Sequence, residues 1–189
     1  MTSQTGFALW FTGLPASGKS TLAAGVAAQL HKRGISVQIL DSDELRQVLT
    51  PNPTYTLTER DWFYGVMAYM GQLLTKNGVN VIFAATANRR YHRDRARAFI
   101  PRFAEVYVHC PPERLRERDP KGIYALAAAG DAPHVPGIGE PYEAPLQPAV
   151  TVDTEQQHVD EAVAAIVAYI EATLTPANDS HPEKDSCLS

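Results

Sequence analysis

The chain has 189 residues, of which 44% are apolar and 20% are charged, and its formal net charge is −4. This composition is typical of one soluble globular domain with a full-sized core. The acidic balance argues against a nucleic-acid partner, which usually requires a basic face. No apolar stretch approaches the ~20 residues that span a bilayer, so no membrane association is expected. Two cysteines make a poor disulfide framework, which favours a reduced, cytoplasmic protein.

Apolar runs that alternate with helix-forming segments predict the first half of the fold. The elements expected there are strand 7–11, helix 21–30, strand 36–40, helix 43–49, a long helix from Thr58 to Asn77-Gly78, and strand 79–85. Pro51 and Pro53 end the short helix, because proline lacks the N–H that a helix interior needs. Strand 79–85 is apolar except for Asn80, as expected of a strand that is covered on both faces.

The second half continues this alternation and then loses it. The elements expected there are a basic helix 89–99, strand 105–109, a helix opened by Pro112, strand 150–152, and a closing helix 156–174 with Thr154 as its N-cap. Residues 131–148 are rich in proline and glycine without periodicity, which is typical of a lid or binding loop. The polar segment 175–189 is expected to be a disordered tail. The chain therefore predicts one α/β domain at 1–174, with a parallel sheet flanked by helices and a site at the carboxyl ends of the strands.

The segment Gly13-Leu14-Pro15-Ala16-Ser17-Gly18-Lys19-Ser20 matches the loop that wraps the phosphates of a nucleoside triphosphate. Glycines let the backbone curl so that successive N–H groups face one anion, and the following helix adds its positive end. Lys19 can reach the β- and γ-phosphates, and the Ser20 hydroxyl can ligate Mg²⁺. The predicted ligands of ATP in this segment and at the next residue are Gly13, Ala16, Ser17, Gly18, Lys19, Ser20 and Thr21.

Two aspartates, Asp41 and Asp43, follow the second predicted strand at the edge where parallel sheets place their ligands. Phosphoryl transfer to a hydroxyl needs Mg²⁺ near the γ-phosphate and a carboxylate that orients or deprotonates the attacking oxygen. Together with Lys19, these aspartates are the candidate catalytic residues. The alternative is structural, because Asp-Ser-Asp before a helix also provides good N-capping.

A basic run begins where the third predicted strand ends. Helical spacing places Arg90, Arg93 and Arg97 along one side of a helix. Guanidinium groups that face the site would suit an anionic substrate or the transferring phosphate, whereas a solvated helix face is the alternative. Arg118 and Lys121 match a region that closes over ATP in small kinases, and a cationic helix end at the surface is the alternative there.

Four motifs in order, within residues 6–174, resemble those of the adenylylsulfate kinases, which phosphorylate the 3′-hydroxyl of adenosine 5′-phosphosulfate (APS) with ATP and Mg²⁺. These motifs are the phosphate loop at 13–22, Leu-Asp-Ser-Asp-Glu-Leu-Arg at 40–46, Arg-Asp-Pro-Lys-Gly-Ile-Tyr at 118–124, and Gly-Ile-Gly-Glu-Pro-Tyr-Glu-Ala-Pro at 137–145. The resemblance implies a three-layer P-loop NTPase fold, a lid at about 118–148, and a role in sulfate activation. It also implies that Arg46, Tyr55, Arg60 and Arg90 bind the acceptor, and it makes a homodimer the expected assembly.

The same register exposes departures from the family pattern in the acceptor half of the site. Tyr55 replaces a phenylalanine that stacks on the adenine, which a tyrosine ring can still do. Phe63 stands in place of a substrate-binding asparagine, and Ala87 in place of a serine, which excludes a phosphoserine at that position. The remaining departures are Gly65 and Val66 for an arginine pair, and Pro133 and Val135 for a lid lysine and a second stacking phenylalanine.

The expected function is therefore ATP-dependent phosphorylation of APS, with two alternatives. The altered acceptor positions leave open a kinase of the same fold that acts on another nucleotide or on a specialised metabolite. A nucleotide-binding protein without transfer activity is the second alternative. The presence of Lys19, Ser20, Asp41 and Asp43 argues against it, because these are the groups that phosphoryl transfer requires.

Overall fold

The computed structural model describes residues 5–175. The strands are β1 (Ala8–Thr12), β2 (Val37–Asp41), β3 (Asn80–Ala84), β4 (Phe103–His109) and β5 (Val150–Asp153). The helices are α1 (Lys19–Lys32), α2 (Ser42–Leu49), α3 (Leu57–Lys76), α4 (Arg90–Phe99), α5 (Pro112–Arg118), α6 (Ile123–Ala129) and α7 (Val159–Tyr169), which continues as a π-helical turn (Ile170–Leu174). The predicted disordered tail lies outside the described residues, except for Thr175. Every helix within 5–175 is too short or too polar to traverse a lipid bilayer.

The five strands form one parallel sheet in the order β2-β3-β1-β4-β5. β1 lies at the centre and is buried along its whole length, so its alternate side chains pack on opposite faces. Leu9 and Phe11 join the core formed with α1 and α7, whereas Ala8 and Trp10 join the core formed with α3 and α4. Helices therefore cover both faces of the sheet, as a parallel sheet requires. The predicted three-layer α/β fold is confirmed.

Trp10 anchors the core on the α3 side of the sheet. Its ring stacks on Phe83 with 4.4 Å between centroids, and its indole N–H donates to the carbonyl of Ala85 at 3.1 Å. A Cβ atom at Gly71 would lie 2.1 Å from the Phe83 ring, so only glycine lets α3 approach the sheet this closely. The position of α3 matters for function because its first turns reach the carboxyl edge of the sheet.

The starts of α3 and α7 differ from the sequence prediction for reasons that their N-caps explain. Helix α3 begins at Leu57, before the predicted Thr58, because the Thr56 hydroxyl caps it by accepting from the N–H of Glu59 at 3.3 Å. The prediction that Thr154 caps the closing helix is wrong, since α7 begins at Val159 with His158 as its N-cap. The Thr154 hydroxyl instead donates to the carbonyl of His109 at 3.3 Å.

Candidate active site

A cavity of about 870 Å³ opens at the carboxyl ends of the strands, where the sequence predicts the site. The phosphate loop and the start of α1 line one side of this cavity. The start of α2, residues 53–55 and the first turns of α3 line the other side. Two parts of the predicted lid complete the wall: residues 131–136, and Asp119, Pro120, Lys121, Ile123 and Leu126. The cavity therefore places the predicted ATP ligands opposite several of the predicted acceptor ligands.

Backbone geometry shapes the phosphate loop between β1 and α1. Gly18 adopts φ = +100°, a left-handed conformation that favours glycine, and it directly precedes the first residue of α1. A Cβ atom at Gly13 would lie 2.2 Å from the carbonyl oxygen of Val108, so this position also requires glycine. The buried Ser17 hydroxyl oxygen finds no hydrogen-bond partner within residues 5–175. The curled backbone at the positive end of a helix is suited to hold an anion.

The Lys19 ammonium is folded back onto the phosphate loop. It donates to the carbonyls of Leu14 at 2.8 Å and Gly13 at 3.1 Å. Burial lowers the pKa of Lys19 to about 8, and the carboxylates of Asp43 and Asp41 oppose only part of this effect. At neutral pH the side chain still carries its positive charge and can bind an anion. A bound polyphosphate would stabilise the charged ammonium further.

Ser20 and Asp41 form an oxygen pair beside the loop. The Ser20 hydroxyl donates to one carboxylate oxygen of Asp41 at 2.5 Å, and the other accepts the backbone N–H of Asp43 at 2.8 Å as the N-cap of α2. Asp41 therefore does act as a helix N-cap, the structural alternative to a catalytic role. It also contacts Ser20, the predicted Mg²⁺ ligand. Within residues 5–175 no three His, Cys, Asp or Glu side chains cluster to hold a metal ion. Hydroxyl and carboxylate oxygens fit Mg²⁺, which takes most of its ligands from phosphates and water in kinase sites.

Two polar contacts cross the cavity and hold the predicted lid against it. The Lys121 ammonium lies 2.5 Å from a carboxylate oxygen of Asp43, and both side chains are more than half exposed. Arg60 donates to the carbonyl of His134 at 2.7 Å and to the carbonyl of Tyr55 at 3.0 Å. Each contact uses a side chain that the sequence predicts as a ligand, Lys121 for ATP and Arg60 for the acceptor.

The Arg46 guanidinium is the centre of the opposite side of the cavity. It lies 3.9 Å from the ring centroid of Phe63 and 4.8 Å from that of Tyr55, within the range of cation–π attraction. Phe63 is fully buried, and Tyr55 adopts a left-handed backbone at φ = +54° that turns its ring towards the guanidinium. One nitrogen of Arg46, Nη2, is buried and has no hydrogen-bond partner in the described part of the chain.

The carboxylate of Glu59 holds the Arg46 guanidinium in place through an ion pair, a role that sequence reasoning missed. A carboxylate oxygen of Glu59 accepts from Nη1 of Arg46 at 2.6 Å, and the other accepts from the backbone and hydroxyl of Thr54. Burial acts to raise the pKa of Glu59, but the hydrogen bonds from Thr54 and Arg46 hold it below its usual value. The Thr-x-x-Glu spacing at 56–59 was an available signal, although it indicates only a helix cap.

The predicted row of arginines along α4 does not face the cavity. Arg93 is fully buried, and its guanidinium donates to the Glu105 carboxylate at 2.7 Å and to the carbonyl of Glu143 at 2.7 Å. Arg97 donates to the second oxygen of Glu105 at 2.6 Å. Both guanidinium groups therefore share the carboxylate of Glu105 on β4, away from the cavity lining, and the expectation that they bind an anionic substrate is wrong.

Two further predicted ligands lie outside the cavity lining. Arg90 is half-buried, and its guanidinium donates to the carbonyl of Ala144 at 2.9 Å. Its backbone N–H donates to Glu143, a residue that sequence reasoning did not single out although it lies in the fourth motif. Arg118 donates to the hydroxyl and the carbonyl of Thr154 at 3.0 and 2.7 Å. Their assignment to acceptor and ATP remains a prediction.

A parallel sheet with a phosphate loop after its central strand, an adjoining Ser–Asp pair and a cation-rich cavity defines a P-loop phosphotransferase. A family model described as adenylylsulphate kinase matches residues 5–153. The chain belongs to the adenylylsulfate kinase family.

Curated relatives agree with this membership. The chain is 38% identical over 171 residues to an adenylyl-sulfate kinase of Halothermothrix orenii, covering 90% of this chain and 92% of the relative. It is 41% identical over 167 residues to a probable bifunctional SAT/APS kinase of Sorangium cellulosum, and the match spans 88% of this chain but only 29% of that protein.

A solved structure extends the likeness to three dimensions. The APS kinase of Mycobacterium tuberculosis, in complex with AMPPNP and APS, superposes with a TM-score of 0.83 at 33% identity. The match covers 88% of this chain and 98% of that one. The fold is therefore shared along nearly the whole described chain.

Proposed function

We propose that the protein transfers the γ-phosphoryl group of ATP to the 3′-hydroxyl of APS, a step of sulfate activation. The observation that carries the proposal is a single cavity that joins the phosphate loop to Arg46, Tyr55 and Arg60 in a chain of this family. Opposed donor and acceptor groups are what direct transfer between two nucleotides requires, because the reacting atoms must meet in line.

The proposed reaction assigns a role to each group near the phosphate loop. The acceptor oxygen bonds to the γ-phosphorus as the bond to the β–γ bridging oxygen breaks and ADP leaves. Asp43 takes the hydroxyl proton and releases it to solvent, and Lys19 with the loop N–H groups stabilises the negative charge on the phosphates. Ser20 and Asp41 would hold Mg²⁺, which neutralises charge on the phosphate oxygens when it is bound.

The acceptor half supports binding of an anion beside an aromatic ring. Arg46 and Arg60 lie 4.8 and 5.4 Å from the Tyr55 ring, so a planar base and a charged group of one ligand could be held together. Nη2 of Arg46 is buried and has no hydrogen-bond partner among residues 5–175, and a guanidinium N–H of this kind is a strong donor to a sulfate or phosphate oxygen. These contacts fit APS, which carries both a base and an anionic group.

A different acceptor is the second candidate function, and the lid side chains favour it. Pro133 and Val135 both line the cavity, and neither offers a charge or an aromatic face. Phe63 is buried beneath Arg46 and presents no polar atom to a ligand. This lid therefore suits an acceptor with a smaller or more apolar group at this end of the cavity.

Competition between acceptors separates the two candidates. Equal concentrations of APS, 5′-AMP, cytidine 5′-phosphate and gluconate are mixed with Mg-ATP and enzyme, and products are identified by mass. We expect phosphorylated APS to dominate by at least about 100-fold, since a site that pairs buried polar groups rejects ligands that leave them unpaired. Preferential phosphorylation of another compound would overturn APS as the acceptor while leaving the kinase class in place.

The finer organisation is also proposed. We propose a kinase domain at 1–174 with a lid at about 118–148, a homodimeric assembly and a cytoplasmic location. Cys110, the free cysteine among the described residues, is buried, which agrees with a reducing compartment. Limited proteolysis with and without ATP tests the lid, because ordering of residues 118–148 by nucleotide should protect them from cleavage.

A further inference from the structure

One part of the phosphate loop packs against a small apolar cluster that is separate from the two cores of the sheet. Three buried side chains form this cluster, from the residue after β4, from α5 and from α6: Cys110, Leu115 and Tyr124. Leu14 and Ala16 are partly buried and pack against it. Ala16 and Pro15 also line the cavity. The segment 14–16, called the loop arm here, therefore lies between the cluster and the site.

Tyr124 joins helix α6 to the loop arm. Among the seven described residues of α6, Tyr124 alone is buried, with 6% of its surface exposed. Its hydroxyl donates to the carbonyl of Pro15 at 3.0 Å. Burial raises the pKa of Tyr124 to about 12, so the hydroxyl keeps its proton at neutral pH and remains a donor. The ring and the hydroxyl of one side chain thus hold this part of the predicted lid against the phosphate loop.

The backbone of the loop arm adopts a conformation that needs support from its surroundings. Ala16 has φ = +62°, a left-handed conformation that residues other than glycine rarely adopt and that persists only where neighbouring structure holds it. Two side chains donate to carbonyls of the arm, Lys19 to Leu14 at 2.8 Å and Tyr124 to Pro15. Lys19 is also the predicted phosphate ligand, whereas no ligand contact is predicted for Tyr124. The bond from Tyr124 can therefore persist when a nucleotide binds.

The position of Tyr124 limits how it can act on a ligand. Tyr124 is not among the described residues that line the cavity, whereas Ile123 and Leu126 of the same helix are. Its hydroxyl is already bonded to the loop arm from the side of the apolar cluster. Any contribution of Tyr124 to binding must therefore pass through the loop arm or through the placement of α6 as a wall of the cavity.

We propose that Tyr124 is a positioning residue for ATP, which holds the loop arm in the curled conformation that receives the phosphates and holds α6 beside it. The loop N–H groups bind an anion only when they converge on one point, so a displaced arm weakens phosphate binding. The chemistry of transfer depends on other groups, namely Lys19 and the Asp43 carboxylate. Tyr124 therefore acts on the affinity for ATP and not on the transfer step. This inference rests on the proposed function for its ATP site alone and not on the acceptor.

Titration calorimetry of the full chain with Mg-AMPPNP tests the proposal without any acceptor. Tyr124→Phe keeps the ring in the cluster and removes only the hydroxyl, so the dissociation constant should rise about 5-fold, the effect of one hydrogen bond. Tyr124→Ala also removes the one buried side chain of α6, and the rise should reach at least about 20-fold.

Tyr91→Phe is the matched control for the loss of a tyrosine hydroxyl. Tyr91 donates to the Asp61 carboxylate between α4 and α3, and it lies outside the cavity lining. This variant should bind Mg-AMPPNP as the wild type does. Thermal melting of all three variants checks that each is folded, and Tyr124→Phe remains decisive if Tyr124→Ala does not fold.

Steady-state kinetics separates positioning from a merely structural role. In Tyr124→Phe the KM for ATP should rise by about the same factor as the dissociation constant, while kcat and the KM for APS stay within about 2-fold. Unchanged Mg-AMPPNP affinity in folded Tyr124→Phe would overturn the inference, and so would an equal loss of affinity in Tyr91→Phe. Because the titration needs no acceptor, a failure of APS as the acceptor leaves its result unchanged and is distinguishable from a failure of this inference.

Discussion

The two halves of the cavity are built in different ways. The donor half is one continuous segment, Gly13 to Ser20, whose backbone curl and helix N-terminus are fixed by local sequence. The acceptor half is assembled from α2, residues 53–55, α3 and the predicted lid, and it depends on side chains such as Arg46 and Arg60. A phosphate site can thus be encoded in eight residues, whereas a site for the second substrate requires the whole tertiary fold.

This difference explains where the chain departs from its family pattern. The donor half uses backbone N–H groups, which most substitutions cannot alter, and it matches the pattern at every position. In the acceptor half, Phe63 has exchanged a polar contact for a buried ring that supports Arg46. If the two halves are independent, a variant in the donor half should change the kinetic constants for ATP, and a variant in the acceptor half those for APS.

Lys19→Met should have the largest effect. It removes the only ammonium on the phosphate loop while keeping the aliphatic stem, so turnover should fall at least about 1000-fold. Thermal stability should be retained, because a partly buried charge has been replaced by an apolar group of similar length. Steady-state ADP release measures the loss, with the exposed Lys32→Met at the end of α1 as the matched control. Comparable activity in the two variants would contradict the donor assignment.

Arg46→Met should weaken the binding of APS without weakening the binding of ATP. The change removes the guanidinium between Tyr55 and Phe63, so KM for APS should rise about 100-fold while KM for ATP stays within about 2-fold. Because Glu59 loses its partner, thermal melting must accompany the kinetics. Arg46→Lys is the control: it keeps the charge but loses the planar stacking, and it should recover only part of the affinity. A matching rise in both KM values would show that the halves are not independent.

ATP binding to the donor half should be accompanied by proton uptake at Lys19. In the free enzyme the pKa of Lys19 is about 8, so the side chain is mainly neutral at pH 9. Bound phosphates favour the charged form and raise this pKa, so the complex must take up a proton above pH 8. ATP affinity should then fall by up to about 10-fold per pH unit. Titration calorimetry in buffers of different ionisation enthalpy measures the uptake, and its absence would show that Lys19 does not meet the phosphates.

Phe63→Leu should give the smallest effect. The leucine keeps most of the buried apolar contact but removes the aromatic face beneath Arg46, a cation–π interaction of about 1 kcal/mol. KM for APS should rise about 5-fold, with kcat little changed. Phe83→Leu, at an equally buried ring on the sheet, is the matched control for the loss of core packing. Identical kinetic effects in both variants would assign the change to stability rather than to Arg46.

Patterns that are local in sequence predicted most of the fold. The alternation of apolar strands with helices, the phosphate loop and the helix opened by Pro112 are all confirmed. The error at Thr154 has a local cause, since Thr154 and His158 are each followed three residues later by a residue, Gln157 or Glu161, that can complete a capping box. His158 is the N-cap of α7, because the Thr154 hydroxyl already donates to the carbonyl of His109.

Contacts between distant residues limited the prediction of the site. Helical spacing placed Arg93 and Arg97 on one face correctly, but it could not reveal that Glu105 of β4 lies beneath that face. The replacement at Phe63 was visible in the sequence, yet its packing against Arg46 depends on how α2 and α3 cross. Three of the predicted acceptor ligands, Arg46, Tyr55 and Arg60, line the cavity, but their contacts with Phe63, Glu59 and His134 could not be predicted from sequence alone.

The most direct test is to incubate the protein with Mg-ATP and limiting APS, and to determine the mass of the product and the position of its new phosphate. We expect complete conversion to 3′-phosphorylated APS with one ADP formed per product, and no conversion by Lys19→Met. Recovery of unchanged APS from folded protein that still binds ATP would contradict it. The donor half would then stand, and the acceptor half would have to serve another hydroxyl compound.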